Sequence, residues 1–526
     1  MVYPGHPSRG CFACRRKKVK CDEAKPQCNR CTRVGKICPG YRADSELSFR
    51  FVKVLRSDDS SSNASSRSSP DRQFKNNGGA LAIPGADFGF QDDSFSNGSQ
   101  RAWETSNGDF DFQTPIIQPL LLPWAHLALP LFINLYSTSS VQDPKQGLLT
   151  FLPSLYANSN PGSPLHLAVS AATDANAVRK LTDLEAIHQA RRTHVKALVA
   201  VQKAIEDPQE VTKDTTLCSL FILTLFEYIS GDTMEAHGSH IAGYEALLDL
   251  RSRSTNHESQ EYALDLSVAT QIVVKHLRSR TAPKPRTIQI LEGLDKSDPS
   301  TVAIQINLMV AQYNNQIDTL VEAAVQAEQA HPGAGTATPA MKLLYSSILH
   351  GEQLDSQAHT WPDTLAEPGY AYQPAMQPLS GWPGPFDVYT ALGVANDWNM
   401  VRCARIMLLM SIVKCCRFLR EASYGSVETE EAFERSKSKI ATLLDDIVAS
   451  LPYCLGRGDA KWNLPVSGIG TSGFALLWPT GILLRCPFAR PEQKAKALEM
   501  IEYIGVSLGL QRALFLKENW ERGVFR

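Results

Sequence analysis

Residues 11 to 21 read Cys11-Phe12-Ala13-Cys14-Arg15-Arg16-Lys17-Lys18-Val19-Lys20-Cys21, and Cys28-Asn29-Arg30-Cys31 with a closing Cys38 repeats the arrangement. The spacing is C-x2-C-x6-C-x6-C-x2-C-x6-C, two half-sites related by an approximate internal repeat. Each half supplies three thiolates, whereas zinc takes four tetrahedral ligands at about 2.3 Å from sulfur. Sharing closes both sites. If one cysteine of each half bridges, six thiolates fill the coordination positions of two zinc ions, and the leading cysteines, Cys11 and Cys28, are best placed to do so.

Cysteines in such numbers could instead form a disulfide framework, which needs an oxidising compartment and an export signal. Met1 to Gly10 has no apolar run of the kind such a signal carries, and the other six cysteines are scattered through apolar segments. A zinc-storage or redox role is the other competing use of these thiolates, and charge argues against it. Residues 9 to 42 hold eleven basic side chains against Asp22 and Glu23. Counting six thiolates and two zinc ions still leaves the module near +7, in a chain whose formal net charge is −1. A local basic module on a near-neutral chain is the footprint of a polyanion-binding protein. Arg15 to Lys20 follow the first Cys-x-x-Cys directly and predict a short helix held by the metal. A rigid helix end bearing lysines suits the DNA major groove, where Lys donates to guanine O6 and N7. Arg15, Arg16 and Lys20 are suited to phosphates, which position a protein without reading sequence. The same run can also serve as a nuclear-import signal.

These residues resemble the fungal six-cysteine binuclear zinc cluster, the DNA-binding domain of transcription regulators. Cys11 to Cys21 is similar to the first half of that domain, and Lys25-Pro26-Gln27-Cys28-Asn29-Arg30-Cys31 to its loop and second half, Pro26 matching the loop proline. The resemblance implies two short helices wrapped around two zinc ions, bridging roles for Cys11 and Cys28, and reading of a CGG triplet in double-stranded DNA by Lys18 with Lys17 beside it. It covers roughly a twelfth of the chain.

A chain of 526 residues exceeds what one core usually supports. Leu47 to Leu55 supplies at most one heptad-like repeat, too little for the coiled coil that relatives carry after the cluster. Residues 57 to 115 are rich in Ser, Asn, Gly and Asp and predict a disordered linker. Within it, Asp87 to Phe95 and Asp109 to Phe112 interleave aromatics with acids, either a spacer or an acidic activation segment. Ile116 to Val141 has no charge, but Pro119, Pro123 and Pro130 argue for short buried helices instead of a membrane span. Gly468 to Leu484, also uncharged, reads as a broken core helix.

The remainder predicts an all-helical domain over residues 116 to 515. Leu184, Ile187, Val195, Leu198, Val201 and Ile205 fall on one helical arc, and Leu217 to Ile229 is apolar on nearly every face, as a central helix would be. Further helices are expected over 168–181, 234–250, 258–277, 302–330, 397–419, 428–451 and 493–515. The helix order, the Ala-rich stretch Leu165 to Val178, Phe226-Glu227 and His240-x-x-Gly243 resemble the helical regulatory region of fungal regulators. Gly468-x-Gly470-x-x-Gly473 fits a dinucleotide-loop pattern but lacks a preceding strand and reads as a loop. His237 and His240 read as polar-face histidines without a third ligand, and Cys403, Cys415 and Cys416 as core residues.

The expectation is therefore a small zinc-nucleated binuclear cluster domain (9–42), a disordered linker (57–115) and a large all-α regulatory domain (116–515). Such a chain is a nuclear, sequence-specific DNA-binding transcription regulator of RNA polymerase II genes, such as a metabolic pathway or gene cluster. It is not an enzyme and has no membrane partner. Its partners are double-stranded DNA and the transcription machinery or coactivators, and a homodimer, where one forms, is made by the helical region. The alternative is a zinc-thiolate redox or metal-sensing nuclear protein.

Overall fold

In the computed structural model the described residues are 14, 19, 21, 22, 24, 28–34 and 38, then 124–526 except 139–148, 182–183, 232–236, 254–261, 331–337, 365–369, 376–378, 380–381, 383, 457–466 and 524–526. The expected linker, its acidic-aromatic stretches and Leu47 to Leu55 lie outside them. The chain divides into two units, 1–121 and 122–526. In the first, the described helix is α1 (Asn29–Arg33).

The second unit is built of helices in the order α2 (Trp124–Tyr136), α3 (Leu152–Ala157), α4 (Pro164–Leu181), α5 (Leu184–Glu206), α6 (Asp214–Ser230), α7 (His237–Arg253), α8 (Tyr262–Ser279), α9 (Pro285–Glu292), α10 (Pro299–Ala330) and α11 (Pro339–His359). A two-stranded antiparallel ribbon follows, β1 (Gln373–Pro374) with β2 (Asp387–Val388), in the register Gln373 to Val388. Then come α12 (Leu392–Glu421), α13 (Val427–Cys454), α14 (Ile469–Arg485), α15 (Pro491–Tyr503) and α16 (Gln511–Glu521). No helix of the described residues is long and apolar enough to cross a membrane.

The apolar run Leu217 to Ile229 is the middle of α6, buried almost throughout and packed by α4, α5, α7 and α16, as a helix without a polar face must be. It ends at Gly231, whose left-handed φ of 71° no β-carbon would share comfortably, since Gln511 of α16 approaches that side. Two long helices, α10 of 32 residues and α12 of 30, carry the rest of the core with α11 and α13 against them. Arg402 of α12 is buried with the ribbon. Its Nη1 donates to Tyr389 Oη at 2.7 Å and Asn399 Oδ1 at 3.1 Å, while Tyr372 and Trp398 lie 4.9 and 5.5 Å from the guanidinium. Hydrogen bonds and ring faces together offset the cost of burying that charge.

Several expectations are corrected. The Leu184–Ile205 arc of α5 is only part of its buried face: Val201 is buried, and Leu198 and Ile205 pack against the core. Ala190, Ala197 and Ala204 are buried as well, whereas Val195 is 48% exposed. The partner α4 presents Ala168, Ala171, Ala172 and Ala175. Small side chains let two backbones approach, so alanine and not the larger aliphatics defines this interface. Of Ile116 to Val141 the described residues are 124–138, and they hold one helix, α2, which continues through Pro130; that proline faces solvent together with Leu127 and Leu131. The stretch 468 to 484 is not broken either, because its glycines are points of close approach. A β-carbon on Gly470 would stand 2.8 Å from Leu135 Cγ, and one on Gly473 would stand 2.8 Å from Leu508 Cδ1. The nucleotide-like glycine pattern is thus the start of a tightly packed helix, not a loop. Residues 493 to 515 do break, at a single π-helical turn, Ile504–Leu508, that closes on Gly509 with φ 95°. Helix α11 is absent from the periodicity reading because Ser347 and Gly351 interrupt its buried face. Its start was nevertheless marked, since Thr338 caps Met341 N–H through its hydroxyl and Pro339 takes the first position.

Candidate metal centre

Cys28 stands at the N-cap of α1 with extended backbone, φ −73° and ψ 137°. Its sulfur accepts the Cys31 N–H at 3.3 Å, and its carbonyl accepts the N–H and hydroxyl of Thr32 at 3.3 and 3.2 Å. A Cys-x-x-Cys whose first member caps a helix directs both sulfurs to one end of it, where backbone N–H groups favour the thiolate. Cys14, Cys28, Cys31 and Cys38 form one buried cluster, with Val19 and Cys21 packed against it. Cys28 is wholly buried.

Cys14 Sγ lies 3.9 Å from Cys28 Sγ, and the sulfurs of Cys14, Cys28 and Cys31 are all within 4.8 Å of one another. Zinc at about 2.3 Å from each of four tetrahedral sulfurs spaces them by about 3.8 Å. A disulfide would need roughly 2.05 Å. The trio therefore has the dimensions of a metal site. Cys21, Asp22 and Cys28 offer ligand atoms in a second group of the same dimensions, and Cys28 belongs to both. Asp22 also accepts the Asn29 N–H at 3.0 Å through Oδ2, so it steadies the first turn of α1. Sequence reasoning passed over this aspartate, although an acid directly after a ligand cysteine and six residues ahead of the next is a visible signal. Cys11 and the basic residues Arg15, Arg16, Lys17, Lys18 and Lys20 lie outside the described residues. Arg30 and Arg33 on α1 are exposed.

The helical unit holds its cysteines and histidines differently. Cys403, Cys415 and Cys416 are buried in α12. Burial raises all three thiols, Cys415 to about 12 and Cys416 to about 11, so they are protonated packing groups. His240 Nε2 meets Glu227 Oε1 at 2.6 Å inside the core, which accounts for two motif residues as one buried pair and not as a surface feature. The side chain of His237 lies outside the described residues. His194 stacks on Phe226 with centroids 4.0 Å apart, and burial, then the charge of His240, lowers it to about 4.

A cysteine cluster with one member common to two ligand groups, accompanied by a large all-helical unit, defines a zinc cluster protein with a helical regulatory region. The chain belongs to the fungal zinc cluster transcription factors: the Fungal Zn(2)-Cys(6) binuclear cluster domain matches residues 9–47, and the Fungal specific transcription factor domain matches residues 128–455. It is similar to "Transcription factor dbaG" of Emericella nidulans, 27% identical over 150 residues, which is 27% of this chain and 34% of that protein. It is 49% identical over 37 residues to "Aspercryptin biosynthesis cluster-specific transcription regulator atnN" of the same organism, 7% of this chain and 6% of that protein. Over 32 residues it is 53% identical to "Transcriptional regulatory protein moc3" of Schizosaccharomyces pombe, 6% of each chain. The chain spans about a third or less of the curated relatives it matches. No solved structure matches it. Membership implies zinc binding, DNA binding and a nuclear location.

Proposed function

We propose that the chain is a regulator whose cluster holds two zinc ions through Cys11, Cys14, Cys21, Cys28, Cys31 and Cys38, with Cys11 and Cys28 bridging. The observation that carries this is the membership of Cys28 in both ligand groups, as sharing six thiolates between two metals requires. Metal bound there would fix the fold of so short a segment, which has little core of its own. Lys18, with Lys17, reads a CGG triplet through the major groove, and Arg15, Arg16 and Lys20 grip phosphates. Residues 9–42 form the DNA-binding domain, 57–115 a linker able to present acids and aromatics to coactivators, and 116–515 the regulatory domain. A homodimer is made by the helical region. Its targets are the genes of a pathway or cluster, a reading supported by likeness to a relative named as a biosynthesis cluster-specific regulator.

Competition binding with the zinc-loaded full chain tests the reading. A CGG-containing duplex should outcompete a scrambled one by tenfold or more at fixed salt. Equal competition would remove base reading and leave the zinc-thiolate redox or sensing alternative.

A further inference from the structure

Beyond the cluster, the helical unit contains a cleft of about 120 Å³ where α6, α8, α10, α12, α14 and α16 converge. Its walls are apolar and aromatic, with Leu149, Phe221, Met400, Phe474, Trp478 and Leu516 among the lining. That volume is close to the roughly 150 Å³ of a cavity known to accept one benzene ring. Around it stand Lys275, Arg278, Arg485 and Arg512, against Asp397 as the one carboxylate among the described lining residues. Lys275 is engaged with Glu245 at 3.3 Å, and Asp397 with Ser300 Oγ at 2.6 Å and with the Tyr370 hydroxyl. Arg278, Arg485 and Arg512 add three guanidinium groups to the same walls, from α8, α14 and α16.

Their mutual effect is visible. Burial lowers Arg485 from its ordinary value, and the charge of Arg278 lowers it further. Burial also lowers Arg512, with Arg278 reinforcing the shift and Tyr228 and the Glu227 carboxylate opposing it. The Arg278 guanidinium lies 6.0 Å from the Trp478 ring, so charge and aromatic wall adjoin. Like charges gathered at a partly desolvated cleft raise the energy of the empty site, and an entering anion relieves it. Arg485 and Arg512, like Phe474 and Trp478, lie beyond residue 455, where the matched regulatory region ends.

We propose that this cleft is an effector site for a small carboxylate with an apolar, ring-sized body, the ring lying among Phe474, Trp478 and Leu516 and the carboxylate meeting the arginines. An apolar pocket with a few convergent charged groups is the usual form of a small-molecule site, and Arg is the side chain suited to planar carboxylates.

Ligand-observed fluorine NMR on the zinc-loaded full chain, without DNA, tests it with 4-(trifluoromethyl)benzoate and its neutral carboxamide. The carboxylate should bind at least about tenfold tighter than the amide, and Arg485→Met and Arg512→Met should each weaken it by about tenfold. Arg253→Met, on the exposed end of α7, should leave binding unchanged. Ala475→Leu, which fills the cleft from α14, should abolish binding of the carboxylate. Thermal melts report whether each variant folds, and the comparison of carboxylate with amide on the unaltered chain needs no variant at all. Equal binding of carboxylate and amide would overturn the proposal. So would full displacement of the benzoate by equimolar inorganic phosphate, or folded Arg485→Met and Arg512→Met chains that bind it as the unaltered protein does.

Discussion

Cys28→Ala removes the one cysteine common to both ligand groups, and its cost can be set against that of Cys38→Ala. Structural zinc contributes roughly 10–16 kcal/mol of apparent binding energy through four ligands, or about 2.5–4 kcal/mol for each metal–sulfur bond. Cys38 supplies one such bond in the proposed cluster and Cys28 two, so Cys28→Ala should cost about 5–8 kcal/mol, spread over both metals. The Cys31 N–H also loses its acceptor, now 3.3 Å away in the buried cluster, which adds about 1 kcal/mol or more. At about 1.4 kcal/mol per decade the shared ligand is worth four or more decades of total zinc affinity, against two to three for Cys38. Titration of the full chain with a chromophoric zinc chelator, together with zinc content by mass spectrometry, measures both. Cys38→Ala should weaken one metal and Cys28→Ala should weaken both. If Cys28→Ala retained two zinc ions, with summed affinity within tenfold of Cys38→Ala, the shared-ligand argument would be wrong.

Lys18→Ala should reduce discrimination between CGG and scrambled duplexes by about 1–3 kcal/mol, while Arg15→Ala weakens both alike and shallows the salt dependence, as parallel binding isotherms will reveal. His194, held at about 4 in the folded chain against about 6.5 unfolded, binds fewer protons when folded. Stability is therefore highest above pH 6.5 and falls toward pH 4 by on the order of 2–3 kcal/mol from this group. His194→Phe, which keeps the stack on Phe226, should lessen that slope in denaturant melts across the same window, and an unchanged slope would exonerate the histidine. Gly470→Ala should cost about 1–3 kcal/mol, because the added carbon meets the Leu135 side chain and carbonyl; a melt equal to that of the unaltered chain would contradict the close packing of α2 on α14. Sedimentation should find residues 1–60 monomeric and any dimer confined to chains that contain the helical unit, since Leu47 to Leu55 lacks the heptads a coiled coil needs.

The cysteine spacing and the local basic run carried the reading of the cluster because a metal site specifies residue type and interval within a short segment, and both survive without knowledge of the fold. The helical class was legible for the same kind of reason: Leu217 to Ile229 can be apolar all round only where other helices enclose it. What the sequence left open depends on contacts between distant segments. The face of α5 turned on the alanines of α4, and the glycines of residues 468 to 473 turned on Leu135 and Leu508, over three hundred residues before and thirty-five after. The pairing of Glu227 with His240 is likewise invisible in a linear reading, because a buried hydrogen-bonded pair is defined by distance and not by interval. Three arginines at positions 278, 485 and 512 have no pattern along the chain, and only tertiary packing of α8, α14 and α16 brings their charges to one cleft.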